Sequence, residues 1–169
     1  MRLNLGCGDR YQPDWWNVDH AGSPYRMDEV VDLTHPLPWP AGSISHVYAG
    51  HILEHLAVQD ALDLLERLRP LMAPGGQIMV VGPDVIRGAV MADAGQLEDW
   101  VTLDLLKFGG RRWPGDEHRW QCDPLVLADM LKEAGWVDVV ELSIADVPEL
   151  WPVVDRGPAW QCAVQAVAP

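Results

Sequence analysis

The sequence predicts an α/β fold with a mostly parallel central sheet, helices on both of its faces and an antiparallel late strand. Three observations predict it. Short apolar segments alternate with amphipathic segments of helical period. The first apolar segment ends in the glycine-rich turn Gly6-Cys7-Gly8, and the last one alternates apolar and polar residues. The length of 169 residues fits a single domain, residues 1–169.

Seven segments are predicted to be strands, because each is short, mostly apolar and bounded by turn residues. They are Arg2–Leu5, Trp16–Asp19, Glu29–Leu33, Ile44–Ala49, Gln77–Val81, Val137–Ser143 and Ala159–Val167. Only ten residues (6–15) separate the first two, whereas parallel neighbours normally need a dozen or more. Either the early crossovers are unusually short or these segments are not strands.

Three segments are predicted to be helices from their apolar spacing and end signals. The first carries Val58, Leu62, Leu65, Leu68 and Met72 and ends at Pro74, and the second carries Leu97, Val101, Leu105 and Phe108 and ends at Gly109-Gly110. The third has Asp123 as its N-cap, Pro124 in its first turn and Gly135 after its last turn.

The charge balance excludes several classes of partner. The chain has 25 acidic and 12 basic residues, a net charge of −13, so its surface repels nucleic-acid backbones and anionic lipids. No apolar run approaches the ~20 residues of a membrane span, and a predicted strand begins too early for a signal peptide. Three cysteines without a Cys-x-x-Cys pair are typical of a reducing compartment. A cytoplasmic protein is expected.

Side chains suited to binding a nucleoside follow three of the predicted strands. Gly6 and Gly8 let a ligand approach the backbone closely, Asp19 can accept two ribose hydroxyls, and Asp32 can meet an adenine amino group. Ligands of open α/β sheets bind outside the carboxyl ends of the strands, where all these residues fall. The chain lacks the Gly-x-Gly-x-x-Gly and Gly-x-x-x-x-Gly-Lys-Ser/Thr phosphate loops, which favours a nucleoside without a polyphosphate.

A series of motifs in a fixed order extends this pattern over most of the chain. They are Leu3-Asn4-Leu5-Gly6-Cys7-Gly8, Trp16-Asn17-Val18-Asp19, Val31-Asp32-Leu33, His51-Ile52-Leu53-Glu54-His55-Leu56, Leu71-Met72-Ala73-Pro74-Gly75-Gly76-Gln77, Gly82-Pro83-Asp84 and Leu131-Lys132-Glu133-Ala134-Gly135-Trp136. In these motifs the chain resembles the class I S-adenosylmethionine-dependent methyltransferases. It most resembles a small subgroup of them with a short first crossover.

The resemblance implies a Rossmann-like fold, S-adenosylmethionine as cofactor and a role for each matching residue. The implied cofactor contacts are Leu5, Gly6, Cys7 and Gly8 for the methionine part and ribose, Asp19 for the ribose hydroxyls, Asp32 and Leu33 for the adenine, and Ala49, Gly50 and His51 for the sulfonium end. Two residues depart from the family pattern: Asn4 and Ser45 stand where an acid is usual.

The implied activity is methyl transfer to a small-molecule acceptor, with oxygen favoured over nitrogen and a sugar or glycan precursor as the leading substrate class. His51, His118 and Asp84 are the candidate bases. DNA methylation is disfavoured by the charge and by the missing Asn/Asp-Pro-Pro-Tyr/Phe motif. No metal is expected in this interpretation.

Residues 84–120 are predicted to form a lid or acceptor segment. Its loop from Gly109 to Trp120 carries Arg111, Arg112 and Arg119, the densest group of cations in an anionic chain. These arginines either bind an anionic acceptor or form ion pairs with neighbouring acidic residues.

Two further function classes remain open. His51-x-x-Glu54-His55 also spells an inverted zinc-protease motif, with two histidines on one helix face and Glu54 as base. A binding module that keeps the nucleoside site without catalysis is the other alternative.

Overall fold

A computed structural model describes residues 1–97, 100–112, 114–153 and 159–169, with Trp100 described by its backbone alone. Its centre is a seven-stranded sheet in the order β3-β2-β1-β4-β5-β7-β6. The strands are β1 Arg2–Leu5, β2 Trp16–Asp19, β3 Glu29–Val30, β4 Ile44–Gly50, β5 Met72–Pro83, β6 Val137–Leu142 and β7 Gln161–Val167.

The first five strands run parallel to one another. Strand β7 inserts antiparallel between β5 and β6. This arrangement confirms the predicted mostly parallel sheet and its antiparallel late strand.

In the described ranges four α-helices accompany the sheet: α1 Val58–Leu68, α2 Val85–Asp93, α3 Trp100–Phe108 and α4 Pro124–Glu133. Asp123 caps α4 as predicted, because its carboxylate accepts hydrogen bonds from the backbone N–H groups of Leu125 and Val126. Helix α2 was not predicted from the sequence, since Ile86 and Val90 lie on its exposed side and its buried residues give little periodicity.

Three of the predicted boundaries are wrong for local reasons. Helix α1 ends at Leu68, and Met72, predicted on its apolar stripe, instead begins β5. Strand β5 therefore starts before the Pro74-Gly75-Gly76 turn, and the ladder with β4 shifts register across that turn. Strand β3 stops at Val30, because the chain then turns at Asp32, whose carbonyl accepts from the His35 N–H.

The short early crossovers are real, and a buried asparagine stabilises them. Asn17 has no exposed surface. Its Oδ1 accepts from Gln12 N–H at 2.8 Å, and its Nδ2 donates to the carbonyls of Gln12 and Trp15 at 2.9 and 2.7 Å. Asp28 accepts from both the backbone and the side chain of Asn17. These bonds satisfy backbone groups that a crossover helix would otherwise pair internally.

Helices α1 and α4 pack together against one face of the sheet, where they join Leu3, Leu5 and Val47 in the larger hydrophobic cluster. The opposite face carries a second, smaller buried cluster. In the described chain, its buried cluster consists of sheet residues covered by loop residues and the 3-10 turn Ile144–Asp146. Trp15 and Trp151 are its largest covering side chains.

No α-helix in the described ranges is long and apolar enough to cross a membrane.

Candidate active site

The turn after β1 is held open at the carboxyl edge of the sheet. Gly6 and Gly8 both have positive φ angles, 58° and 49°, a conformation that glycine adopts without steric cost. The intervening Cys7 N–H donates to the Val18 carbonyl at 3.0 Å, which ties the turn to β2. An added Cβ at Gly8 would meet no atom within 4 Å. The turn therefore leaves space for a ligand beside its backbone.

Gly6 and Gly8 offer a matched pair of substitutions. An added Cβ at Gly6 would approach Ile52 Cδ1 to 2.7 Å, in contrast to the open space at Gly8. We expect Gly8→Ala to cost about 1–2 kcal/mol for its positive φ alone and Gly6→Ala to cost about 1–3 kcal/mol more from overpacking. Denaturant unfolding of the two variants measures the difference. Equal losses of unfolding free energy would mean that the Ile52 side chain moves aside without an energetic cost.

Asp19, the last residue of β2, is a buried carboxylate at this edge, with 8% of its surface exposed. Its Oδ2 accepts from Gly8 N–H at 2.8 Å and from Ser23 Oγ at 3.2 Å, and its Oδ1 accepts from His20 N–H at 2.7 Å. The carboxylate thus joins the glycine turn to the loop after β2. The structure brings Asp19 and Gly8 together, as the motif order predicts.

Cys7 is buried beneath the same turn, and its Sγ lies 3.7 Å from the Arg26 carbonyl. Burial, followed by the nearby charge of Asp19, raises the pKa of the thiol to about 11. The thiol is therefore neutral near pH 7 and is not a nucleophile there.

Asp32 and Leu33, predicted beside the adenine, have different surroundings. Asp32 is exposed, and its Oδ1 accepts from the Thr34 hydroxyl at 2.7 Å and the Thr34 N–H at 2.9 Å. These two bonds lower the pKa of the Asp32 carboxyl. Leu33 is 7% exposed and belongs to the main core, while its carbonyl accepts from Arg67.

The end of β4 brings His51 to the same edge. Ala49 is buried, Gly50 is the last strand residue, and His51 follows with a φ of 54°, unusual for a residue other than glycine. His51 N–H donates to the Val81 carbonyl at 2.8 Å, which fixes this backbone. A strained residue at a strand end fits a functional position.

The His51 ring is positioned by two side chains. Nε2 lies 2.8 Å from Gln161 Oε1, and Nδ1 lies 3.4 Å from Glu54 Oε1. Burial opposes protonation of the ring, but the close Glu54 carboxylate outweighs it and raises the pKa of His51. A carboxylate that orients a histidine and raises its basicity is the arrangement of a general base.

The other two candidate bases have structural partners. Asp84 is 5% exposed and is the N-cap of α2, where its Oδ1 accepts from Arg87 N–H at 2.8 Å. His118 packs edge-to-face against His55, with ring centroids 4.9 Å apart, and its Nδ1 lies 3.0 Å from the Leu106 carbonyl. Of the three predicted bases, His51 and His118 lie beside Glu54.

The inverted zinc-protease geometry is wrong for this chain. His55 lies in the short 3-10 turn Leu53–His55, whereas His51 precedes that turn with a positive φ. The two histidines therefore do not share a helix face. His55 is instead grouped with Glu54 and His118.

The fold of this chain is similar to those of solved methyltransferase structures. No protein-family model and no curated protein matches the chain. It does match a chain of the complex between the Haloferax volcanii Trm112 methyltransferase activator and a methyltransferase, with a TM-score of 0.61, 18% identity and coverage of 99% of this chain and 82% of that one. A SAM-dependent methyltransferase from Archaeoglobus fulgidus matches with a TM-score of 0.63, 16% identity and coverage of 98% and 85%. This chain has the class I methyltransferase fold.

A third solved structure shows how much of a larger protein this fold covers. The S-adenosylmethionine-dependent methyltransferase SibL matches with a TM-score of 0.63 and 17% identity over 99% of this chain. The chain spans 50% of SibL. The methyltransferase fold here thus corresponds to about half of that protein.

Within the methyltransferase fold, the presence of Asn4 at a position where an acid is usual has a structural explanation. Asn4 is 2% exposed, and its Nδ2 donates to the Arg10 carbonyl at 3.0 Å and to Asn17 Oδ1 at 2.9 Å. A carboxylate in the same orientation would face two acceptors. The position is occupied by a donor because the short crossover supplies acceptors around it.

The arginine-rich loop folds back onto the site, with an antiparallel bridge between Gly109 and Glu117. Arg111 pairs with Asp104 at 3.0 Å, and the Arg112 guanidinium makes two bonds to Asp116, at 2.9 and 3.2 Å. These pairs favour the interpretation in which the arginines bind neighbouring acids.

Two site residues of this methyltransferase fold were missed from the sequence. Gln161 reaches His51 from the first position of β7, 110 residues away along the chain. Trp160 stacks edge-on to His51, with centroids 6.5 Å apart. No local motif marks either residue, because only the insertion of β7 beside β5 brings them there.

Proposed function

We propose that this protein transfers a methyl group from S-adenosylmethionine to the oxygen of a small-molecule acceptor. The observation that carries the proposal is the buried Asp19 carboxylate bonded to Gly8 N–H at 2.8 Å, at the carboxyl edge of a sheet with the class I order. Ligands of open α/β sheets bind at that edge.

The residues at this edge suit the cofactor. The glycine turn leaves open space at Gly8, and the Asp19 carboxylate can accept hydrogen bonds from vicinal ribose hydroxyls. Asp32 follows β3 and is proposed to meet the adenine. Bound there, S-adenosylmethionine supplies an already activated methyl group, so the protein has mainly to align the acceptor and exclude water.

His51 is proposed as the base that receives the proton of the acceptor hydroxyl. Glu54 raises its basicity from the Nδ1 side. Gln161 Oε1 contacts Nε2 before the acceptor binds, and the acceptor hydroxyl is proposed to take that place and give its proton to Nε2 of the neutral ring. The side chain is 39% exposed, so an acceptor can reach it.

The acceptor is proposed to be a small hydroxylated molecule, with a sugar or glycan precursor as the leading class. The net charge of −13 argues against a nucleic-acid acceptor. If the acceptor is anionic, Arg119 is the preferred contact. Its side chain is exposed, and its backbone N–H donates to the Glu54 carbonyl at 2.8 Å, which holds the residue beside the site.

Thermal unfolding with S-adenosylhomocysteine, NAD and ATP at equal concentration tests the cofactor assignment. S-adenosylhomocysteine at about 100 times its dissociation constant should add about 2.7 kcal/mol of stability, and NAD and ATP should add less. Absence of a shift with S-adenosylhomocysteine would reject the proposed function.

Transfer of labelled methyl from S-adenosylmethionine to a panel of hydroxylated acceptors then tests catalysis. We expect turnover with a sugar-containing acceptor and a loss of about 10²–10⁴-fold in His51→Ala. Tight cofactor binding without turnover on any acceptor would identify a non-catalytic nucleoside-binding module.

A further inference from the structure

Three side chains converge beside the proposed methyl-transfer site, and two of them, His55 and His118, have no role in that function. Glu54 and His55 belong to the 3-10 turn after β4, and His118 belongs to the arginine-rich loop. One ligating atom from each lies within 4.8 Å of the other two. A carboxylate and two imidazoles this close can share a single metal ion.

Both imidazoles have their Nδ1 atoms engaged by backbone. His55 Nδ1 lies 3.2 Å from the Glu117 carbonyl, and His118 Nδ1 lies 3.0 Å from the Leu106 carbonyl. A carbonyl can only accept, so each Nδ1 carries the proton and each Nε2 keeps its lone pair. Metal-binding histidines show this same arrangement, in which a backbone carbonyl fixes the tautomer and the ring orientation.

One oxygen of the carboxylate has no hydrogen-bond partner. Glu54 is 1% exposed, and its Oε1 is buried without a hydrogen bond, since the His51 contact at 3.4 Å does not have hydrogen-bond geometry. A buried carboxylate oxygen without a hydrogen bond is costly unless a cation compensates it. The group therefore offers two imidazole nitrogens and one carboxylate oxygen.

We infer that Glu54, His55 and His118 form a binding site for one divalent transition-metal ion, such as Zn²⁺, Co²⁺ or Fe²⁺. Two imidazoles disfavour Mg²⁺ and Ca²⁺, which prefer oxygen ligands. Three protein ligands leave at least one coordination position open. This site differs from the protease motif, because Glu54 is a ligand and His51 is not.

The position of the site suggests what the open coordination position binds. His51, the proposed base, lies 3.4 Å from Glu54, so a metal held by Glu54 is close to the acceptor. An acceptor oxygen bound to the metal would be oriented and made more acidic. This last step depends on the proposed function, whereas the metal site itself does not.

Titration of the full chain with Zn²⁺ and Co²⁺, after removal of bound metal with a chelator, tests the site. We expect one ion per chain, visible absorption bands from bound Co²⁺ and much weaker binding of Mg²⁺. His118→Ala and His55→Ala should each weaken Zn²⁺ binding by at least about 100-fold, the upper end of the loss caused by outer-shell partners. His35→Ala is the matched control, since that ring is 72% exposed and pairs with Asp32, and it should bind Zn²⁺ like the unmodified chain.

Two outcomes would overturn the inference: less than one ion bound per chain, or undiminished Zn²⁺ affinity in His118→Ala. Thermal unfolding without metal shows whether the variants are folded, and His118→Asn replaces His118→Ala if the latter is not. S-adenosylhomocysteine binding is measured on the same samples. Metal binding without cofactor binding would reject the proposed function alone, and cofactor binding without metal binding would reject the metal site alone.

Discussion

Asp19→Asn should lower the affinity for S-adenosylhomocysteine by about 100-fold. A hydrogen bond to a charged group contributes about 1.5–3 kcal/mol, and the carboxylate is proposed to accept two from the ribose. Asparagine keeps the size of the side chain but has a single acceptor oxygen, and its amide nitrogen would face either the ribose or Gly8 N–H. A loss of about 2.8 kcal/mol corresponds to the expected 100-fold change. Isothermal titration calorimetry measures it.

Two controls separate the ribose contact from damage to the loops. Ser23→Ala removes a hydroxyl that donates to the same carboxylate at 3.2 Å, so it perturbs the loop but keeps the acceptor oxygens. Asp129→Asn changes an exposed acid on α4 that pairs with Lys132. Both should bind S-adenosylhomocysteine within a few-fold of the unmodified chain. If Asp19→Asn binds as well as Ser23→Ala, Asp19 does not contact the ribose.

Trp151→Ala should destabilise the fold by about 3–5 kcal/mol, the usual cost of truncating a buried indole. Trp151 is 2% exposed and packs against Trp15 and His46, with ring centroids 5.8 and 5.4 Å away. The effect should lie at the upper end of the range because loops cover this face of the sheet, and a loop residue has no helical neighbours that could fill the cavity. Urea-induced unfolding measures the loss.

Trp16→Ala is the matched comparison, since Trp16 is 44% exposed and its indole N–H donates to Glu29 at 2.9 Å. Its loss should be about 1 kcal/mol, the worth of one hydrogen bond. Trp151→Phe, which keeps an aromatic ring, should fall between the two alanine variants. Equal stabilities of Trp151→Ala and Trp16→Ala would show that the indole of Trp151 does not stabilise the loop-covered face of the sheet.

The strand ends were predictable from the sequence because their signals are local. The turn Gly6-Cys7-Gly8 and the position of Asp19 at the end of an apolar segment are visible in the residues themselves. The capping pattern at Asp123 is equally local, and it correctly located the start of α4.

The rest required tertiary information. The sequence shows Trp151 as one of nine tryptophans but not the sheet face that it covers. Gln161 and His118 reach the site only after β7 inserts beside β5 and the arginine-rich loop folds back. The helical interpretation of His51 to His55 failed because the chain leaves β4 through a residue with positive φ, which apolar periodicity does not reveal.

The hydrogen bonds around Asn17 run in one direction, and this makes neighbouring positions interdependent. Asn4 donates to Asn17, and Asn17 donates onward to Asp28. An acid at position 4 would place two acceptors face to face, and turning the Asn17 amide to relieve them would set its NH₂ against the Gln12 N–H. Residues 4, 17 and 28 therefore form a chain with a fixed polarity. Substitution at one of them is neutral only when the others change with it, so we expect the three positions to covary among proteins that share this short crossover.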